Sequence, residues 1–181
     1  ERHAAVGEVL LRRALDAWGY RVVHISAHWQ FDVLGAACVL HFGLPPLSPS
    51  QPTEGQFSYL RHLKVGLCEK QEPDLVLVGA PDPLMAADCR QTSIRWTASQ
   101  GVLTLMNALR VDAVVLAACP SDSLNLLEEH IRMLEGLTAA RVIGLLLADV
   151  ALTRGMSTAE TLYVPAAKGD CQRFCEAATE H

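Results

Sequence analysis

The sequence lacks three features that would assign the chain to a membrane, an export route or a nucleic acid. Its apolar runs are far shorter than the roughly 20 residues that cross a bilayer. Residues 1–18 mix Glu, Arg and Asp among apolar positions, unlike the uncharged centre of a secretory signal. Lys and Arg form no cluster and the net charge is −5, which disfavours binding to a phosphate backbone. We therefore expect a cytoplasmic protein with no membrane span and no nucleic-acid partner.

The six cysteines are enough for three disulfides, but their surroundings are apolar. Cys38 lies among Ala, Val and Leu, Cys68 follows Val-Gly-Leu, and Cys119 follows a β-branched apolar run. Because Cys is among the residue types most often buried, reduced and buried thiols are the better interpretation.

With 181 residues, the chain is long enough for one domain with a sizeable core that needs no metal or disulfide. Helical and strand periods alternate along it, which is typical of strands joined by crossover helices. The sequence therefore predicts a single α/β domain over residues 1–181. The expected architecture has three layers, a mostly parallel sheet with helices on both faces, as in P-loop-NTPase-like or Rossmann-like folds.

The pattern assigns most of the chain to specific elements. Helical spacing predicts helices over residues 5–17, 57–71, 101–110, 121–137 and 170–181. Short apolar runs predict strands over residues 20–26, 74–80, 112–118 and 140–148, with a possible edge strand over 161–166. The runs at 74–80 and 112–118 are apolar throughout, which predicts strands that are buried on both faces. Residues 31–43 fit either a buried helix or a turn-rich segment. Residues 44–55 contain four prolines, which predicts a loop and a candidate binding segment.

Ligands of open α/β sheets bind beyond the carboxyl ends of the strands. Those ends correspond to residues 24–30, 79–83 and 119–123. The candidate ligand-binding residues in them are His28, Trp29, Gln30, Gly79, Asp82, Cys119 and Asp122.

Each candidate also has a structural interpretation. If Trp29 and Gln30 line a pocket, Trp29 supplies an apolar wall and Gln30 supplies one amide group. Asp82 lies in a rigid turn, where it either contacts a ligand or caps the next segment. Cys119 is a candidate nucleophile if its thiol points outward, and otherwise an ordinary strand-end cysteine. His24 and His28 are four residues apart but not on a helix that would align them, so no metal site is predicted.

Four short motifs follow one another in a fixed order between residues 5 and 150. They are residues 19–22 (GYRV), 27–35 (AHWQFDVLG), 73–83 (PDLVLVGAPDP) and 111–123 (VDAVVLAACPSDS). This order resembles a family of bacterial P-loop-NTPase-like proteins, some encoded beside systems for post-translational peptide maturation. The family's counterparts read GYxV, TEPQSxLFG, PDIIIVGSQSG and PDAVILCxNPxDE.

In that family a glycine-rich GTSxxxGKxTT loop precedes the first helix. Its backbone N–H groups cradle phosphates, its Lys neutralises them and a hydroxyl holds Mg²⁺. Counting back from Gly19, the Lys falls at Ala4, the second Gly at His3 and the hydroxyl residues near Val6 and Gly7. His28 also replaces the acid of the TEPQ segment. We therefore expect no ATP or GTP hydrolysis by the chain as written.

Three functional hypotheses remain. The preferred one is a noncatalytic, degenerate NTPase-like binding or accessory protein that uses no cofactor and binds a partner protein, a peptide or a small ligand at the former nucleotide cleft. The resemblance implies a setting in peptide maturation. The alternative is an enzyme that uses ATP or GTP with Mg²⁺ and takes its phosphate loop from upstream of residue 1 or from a partner chain, with Gln30, Asp82 and Asp122 contributing. The third is a subunit of a larger assembly, including a homo-oligomer, built through a sheet edge and the proline-rich loop.

Overall fold

The computed structural model describes residues 2–42, 44–48, 50–80, 100–120, 123–148, 150–154, 161–167 and 169–179. The chain divides into two compact units, Glu1–Val111 and Asp112–His181. Each unit has its own helices, strands and apolar cluster, and each is described by itself. One α/β domain over residues 1–181 remains a prediction.

The first unit contains the elements that build the site. Helix α1 runs over Arg2–Ala17 and ends before Gly19, whose φ of 87° is the left-handed conformation that glycine adopts readily. The remaining elements of this unit are strand β1 (Val22–Ser26), helix α2 (Phe31–Leu34), strand β2 (Cys38–Val39), helix α3 (Thr53–Gln71), strand β3 (Leu75–Val78) and helix α4 (Gln100–Leu109).

A three-stranded parallel sheet in the order β2-β1-β3 forms the centre of this unit. Ile25 of β1 is paired with Cys38 on one side and with Val78 on the other. All three strands therefore end at the same edge. Val23, Ile25 and Leu40 are buried together with side chains from α3 and α4, including Leu60 and Leu105. Burial of β1 between its neighbours explains its apolar, β-branched sequence.

The ambiguous segment at residues 31–43 contains a short helix and a short strand. Helix α2 has one turn and ends at Gly35, whose φ is 79° and whose N–H is donated to the carbonyl of Phe31. Strand β2 begins three residues later, at Cys38. Residues 44–48 and 50–52 belong to no helix or strand, and α3 begins at Thr53.

The second unit contains a pair of parallel strands and, separately, a pair of antiparallel strands. Its elements are strand β4 (Ala113–Ala118), helix α5 (Leu124–Leu137), strand β5 (Arg141–Leu147), strand β6 (Val150–Arg154), strand β7 (Thr161–Pro165) and helix α6 (Asp170–Thr179). Strands β4 and β5 are parallel, whereas β6 and β7 are antiparallel. Ala118, Leu127 and Phe174 form its buried cluster.

Two expectations about burial are wrong. Strand β3 is not buried on both faces, since Leu75 is 39% exposed. Along β4 exposed and half-buried residues alternate until Ala118, which is buried. Among the described cysteines, Cys38, Cys68, Cys119 and Cys171 are half-buried and Cys175 is exposed. Apolar flanking residues therefore do not ensure burial of a thiol, because burial depends on how the whole element packs.

The coarse class of the fold is confirmed: helices alternate with strands, and both parallel sheets are small, as in an α/β protein. Within the described ranges, no helix combines the length and the apolar character that crossing a membrane requires.

Candidate functional site

A buried carboxylate lies at the carboxyl edge of the three-stranded sheet. Glu8 projects from the middle of α1 and is only 8% exposed. Three residues surround it: His24 and Ser26 of β1, and His28 in the turn that follows this strand. Their exposures are 1%, 0% and 7%. We call these four residues the Glu8 cluster.

One oxygen of Glu8 accepts two short hydrogen bonds. Ser26 Oγ donates to Oε2 over 2.7 Å, and His24 Nε2 lies 2.9 Å from the same oxygen. Because a carboxylate only accepts, His24 must carry its proton on Nε2. The His24 ring is further held by an edge-to-face contact with Phe31, with 4.6 Å between ring centroids. The backbone N–H of His28 donates to Ser26 Oγ over 3.1 Å, which orients that hydroxyl.

The second oxygen of Glu8 is less well satisfied. Oε1 lies 3.2 Å from His28 Nε2, close enough for an ion pair when His28 is protonated. Their relative orientation does not make a hydrogen bond, and neither atom has another hydrogen-bond partner. Buried polar atoms are usually paired, so this pair is an exception. In the described ranges, no three His, Cys, Asp or Glu side chains are arranged to hold a metal ion.

Gly79 leaves the space that the carboxylate of Glu8 occupies. It follows β3 and donates its N–H to the carbonyl of Ile25, while Ala27 donates to the carbonyl of Gly79. A Cβ added at Gly79 would overlap all three atoms of the Glu8 carboxyl group. The absence of a side chain at this position therefore creates the space into which Glu8 projects.

Burial alone raises the pKa of Glu8, but the contacts from His24, His28 and Ser26 outweigh it and hold the pKa below its ordinary value of 4.5. The group is therefore ionised at neutral pH. A carboxyl group whose pKa is lower in the folded than in the unfolded state stabilises the fold above the unfolded value. That contribution disappears as the pH falls through the folded value.

We therefore expect the stability advantage of the unchanged protein over Glu8→Gln to be largest at neutral pH and to shrink towards zero below pH 4.5. Glutamine matches the protonated acid in shape and lacks the charge. Urea unfolding of both proteins between neutral and acidic pH measures the difference. The pKa of Asp74 is also lowered, by its hydrogen bonds to Arg21, but this pair is present in both proteins and cancels. A constant advantage at every pH would show that the charge of Glu8 contributes nothing.

An apolar groove lies beside the Glu8 cluster, between α1 and the turn that leads into α2. Its volume is about 360 Å³, and it is lined by Ala5, Val6, Val9, Gln30 and Leu34. Val6 and Leu34 are more than half exposed. Gln30 is half-buried, and its Oε1 is shielded from solvent without a hydrogen-bond partner. We call this feature the α1–α2 groove. Exposed apolar surface of this kind often marks a binding site.

The structure brings together some of the predicted candidate residues. His28 and Gly79 both contact Glu8, and Gln30 lies in the adjacent groove. Trp29 is 68% exposed and takes no part in the Glu8 cluster. Cys119 follows β4 and belongs to the second unit. Asp82 and Asp122 lie outside the described residues.

Glu8 and Ser26 are not among the residues predicted from the sequence, and His24 was considered there only as a metal ligand. A signal was present in the strand VVHIS, where His24 and Ser26 alternate with apolar residues. A strand buried on both faces leaves its polar side chains without water, so each needs a protein partner. That requirement predicts a buried partner but does not identify Glu8.

No protein-family model matches the sequence, and the search of curated proteins found no match either. The resemblance to the P-loop-NTPase-like family thus remains a prediction, and the function must be argued from the site.

Proposed function

We propose that this chain is a noncatalytic, NTPase-like binding protein, an accessory subunit for a partner protein or peptide, whose nucleotide cleft is filled by its own Glu8 cluster. The observation that carries the proposal is the buried carboxylate of Glu8 at the carboxyl edge of β1 and β3, where Ser26 and His24 contact it at 2.7 and 2.9 Å. These contacts hold the pKa of Glu8 below its ordinary value, which favours the ionised form. In an open α/β sheet this edge is where a ligand binds.

Charge is the first support for the proposal. A phosphate-binding site presents N–H groups and cations, whereas this edge presents an anion. Two like charges 4 Å apart repel by about 4 kcal/mol at an effective dielectric constant of 20. A polyphosphate at the same place would therefore be disfavoured as long as Glu8 is ionised.

The second support is that the buried hydrogen-bond donors at this edge already have a partner within the chain. His24 and Ser26 are fully buried, and their donors are used by Glu8. A nucleotide would have to break these bonds and leave a carboxylate without them, which is costly in a buried site. Peptide maturation as the setting rests on the family resemblance alone.

We expect no saturable, Mg²⁺-dependent binding of ATP, GTP or their nonhydrolysable analogues to the purified chain. Isothermal calorimetry and thermal shift, each with and without Mg²⁺, measure this directly. Saturable binding with a Mg²⁺ requirement would contradict the proposal and favour the nucleotide-dependent enzyme. The variant Glu8→Gln serves as a matched comparison, because it removes the repulsive charge and keeps the shape of the side chain.

A further inference from the structure

Two cysteines of the second unit lie one helical turn apart. Cys171 is in the first turn of α6, and Cys175 follows it by four residues. Side chains at this spacing lie on the same face of a helix, with their Cβ atoms about 5–6 Å apart. We call these two residues the α6 thiol pair.

The α6 thiol pair lies at the border between the core of the second unit and the solvent. Phe174 is buried in the cluster of this unit and Ala178 packs against it, so this side of α6 faces inward. Cys171 is half-buried, and its Sγ lies 3.8 Å from the carbonyl oxygen of Ala148, the residue after β5. Cys175 is exposed. One thiol is thus held against the end of a strand, while the other is open to an incoming ligand.

The spacing of the pair suits a bridging cation better than a disulfide. A disulfide brings the two Cβ atoms to about 3.5–4.5 Å, which is closer than about 5–6 Å for residues four apart on a helix. A cation bound between two sulfurs separates them by two metal–sulfur bonds, about 4.6 Å for bonds as long as the Zn–S bond of about 2.3 Å. Two side chains that lean towards each other from adjacent turns reach this separation without unwinding the helix.

The number of ligands restricts the identity of the cation. Structural zinc sites and most iron–sulfur clusters are held by four protein ligands. Across the ranges that the structure describes, no group of three His, Cys, Asp or Glu side chains could hold a metal ion. Mg²⁺ and Ca²⁺ prefer oxygen, whereas thiolates select soft cations such as Cu(I). Of the soft cations, Cu(I) is the one that accepts two thiolates as a complete set of ligands.

The groups around the pair do not oppose a cation. Arg173 forms an ion pair with Asp170, and the residue after Cys175 is the exposed acid Glu176. The Cys171 thiol contacts Ala148 through a weak S–H donor, so the loss of this contact on ionisation costs little.

We infer that the α6 thiol pair binds one Cu(I) ion between the sulfurs of Cys171 and Cys175, with release of the two thiol protons. This inference is independent of the proposed function, because the Glu8 cluster belongs to the first unit and α6 to the second.

The test is a titration of the reduced protein with Cu(I), without oxygen, in competition with bicinchoninate, whose Cu(I) complex is coloured. The variants are Cys171→Ser, Cys175→Ser and, as a softer replacement, Cys175→Met. Cys68→Ser is the matched control, because Cys68 is half-buried and is the single cysteine of α3. X-ray absorption counts the sulfur atoms around the bound copper.

We expect the unchanged protein and Cys68→Ser to take one Cu(I) from the competitor and to hold it with two sulfurs. Each serine variant should lose at least about 100-fold in affinity, since the loss of a residue that only orients a ligand already costs about 10–100-fold. Cys175→Met should retain part of the affinity, because a thioether is also a soft ligand. Zn²⁺ should bind the unchanged protein and Cys175→Ser alike.

Full Cu(I) affinity in either serine variant would overturn the inference, and so would an unchanged protein that takes no Cu(I) from the competitor. More than two sulfurs around the copper, or a Zn²⁺ affinity that falls in both serine variants, would overturn the two-coordinate assignment. Circular dichroism shows whether each variant is folded. If Cys171→Ser does not fold, the result for Cys175→Ser is decisive, since Cys175 is exposed.

Discussion

Replacing Glu8 with alanine is expected to lower the free energy of unfolding by about 3–5 kcal/mol, the largest effect that we predict for a polar side chain in this protein. The substitution removes the shared acceptor of His24 and Ser26, which are 1% and 0% exposed. Each buried donor that is left without a partner costs about 1–3 kcal/mol. Urea unfolding at neutral pH, followed by far-ultraviolet circular dichroism, measures the loss.

Glu69→Ala is the matched control for this experiment, because it makes the same chemical change at an exposed helical position. We expect it to alter stability by no more than about 0.5 kcal/mol. If Glu8→Ala proves as stable as the control, the cost of burying the carboxylate must cancel the gain from its hydrogen bonds, as happens in some buried ion pairs.

Gly79→Ala is expected to destabilise the protein by about 2–4 kcal/mol, although it adds a single methyl group. That methyl group would overlap the Glu8 carboxyl group, which must then leave its position and lose its bonds. The cost is steric, because Gly79 does not have a positive φ that alanine would avoid. Thermal and urea unfolding both measure it.

Gly66→Ala is the contrasting control. Gly66 lies within α3, and a Cβ at that position meets no atom within 4 Å. Alanine is the better helix former, so this variant should gain about 0.5–1 kcal/mol. The same substitution is thus expected to lower the stability of the protein at Gly79 and to raise it at Gly66, because only Gly79 lies against another side chain.

The double variant Glu8→Ala with Gly79→Ala tests whether the two effects share one cause. Since the methyl group then meets no carboxylate, the second substitution should cost much less than it does alone. Residues in contact commonly show such non-additivity, at about 0.5–3 kcal/mol. Additive effects would mean that Gly79 matters for a reason other than Glu8.

The local elements could be predicted largely from the sequence. The helix that ends at Ala17, the strand after Tyr20 and the helix that ends at Gln71 all lie close to their expected positions. Periodicity and glycine stops act over a few residues, so they are visible in the chain itself. The exposed surfaces of β3 and β4 could not be predicted, because exposure depends on which elements cover a strand.

The candidate site could be predicted only in part, for a related reason. Ligands of α/β sheets bind beyond the carboxyl ends of the strands, and this rule predicted His28 and Gly79 as candidate residues. Both residues contact the buried carboxylate. Glu8 itself looks like an ordinary acid of an amphipathic helix, where most glutamates face solvent. Nothing within a turn of Glu8 distinguishes it from the exposed Glu69 of α3.

The sequence by itself thus determined the order and type of the main elements and the parallel character expected of strands joined by helices. Only the tertiary structure decided that Glu8 would meet His24 and Ser26, which lie 16 and 18 residues away, and Gly79. The physical reason is the distance along the chain over which each kind of interaction acts. Helical and strand periods arise from neighbouring residues, whereas the pairing of a buried charge depends on which distant groups the folded core brings within hydrogen-bond distance.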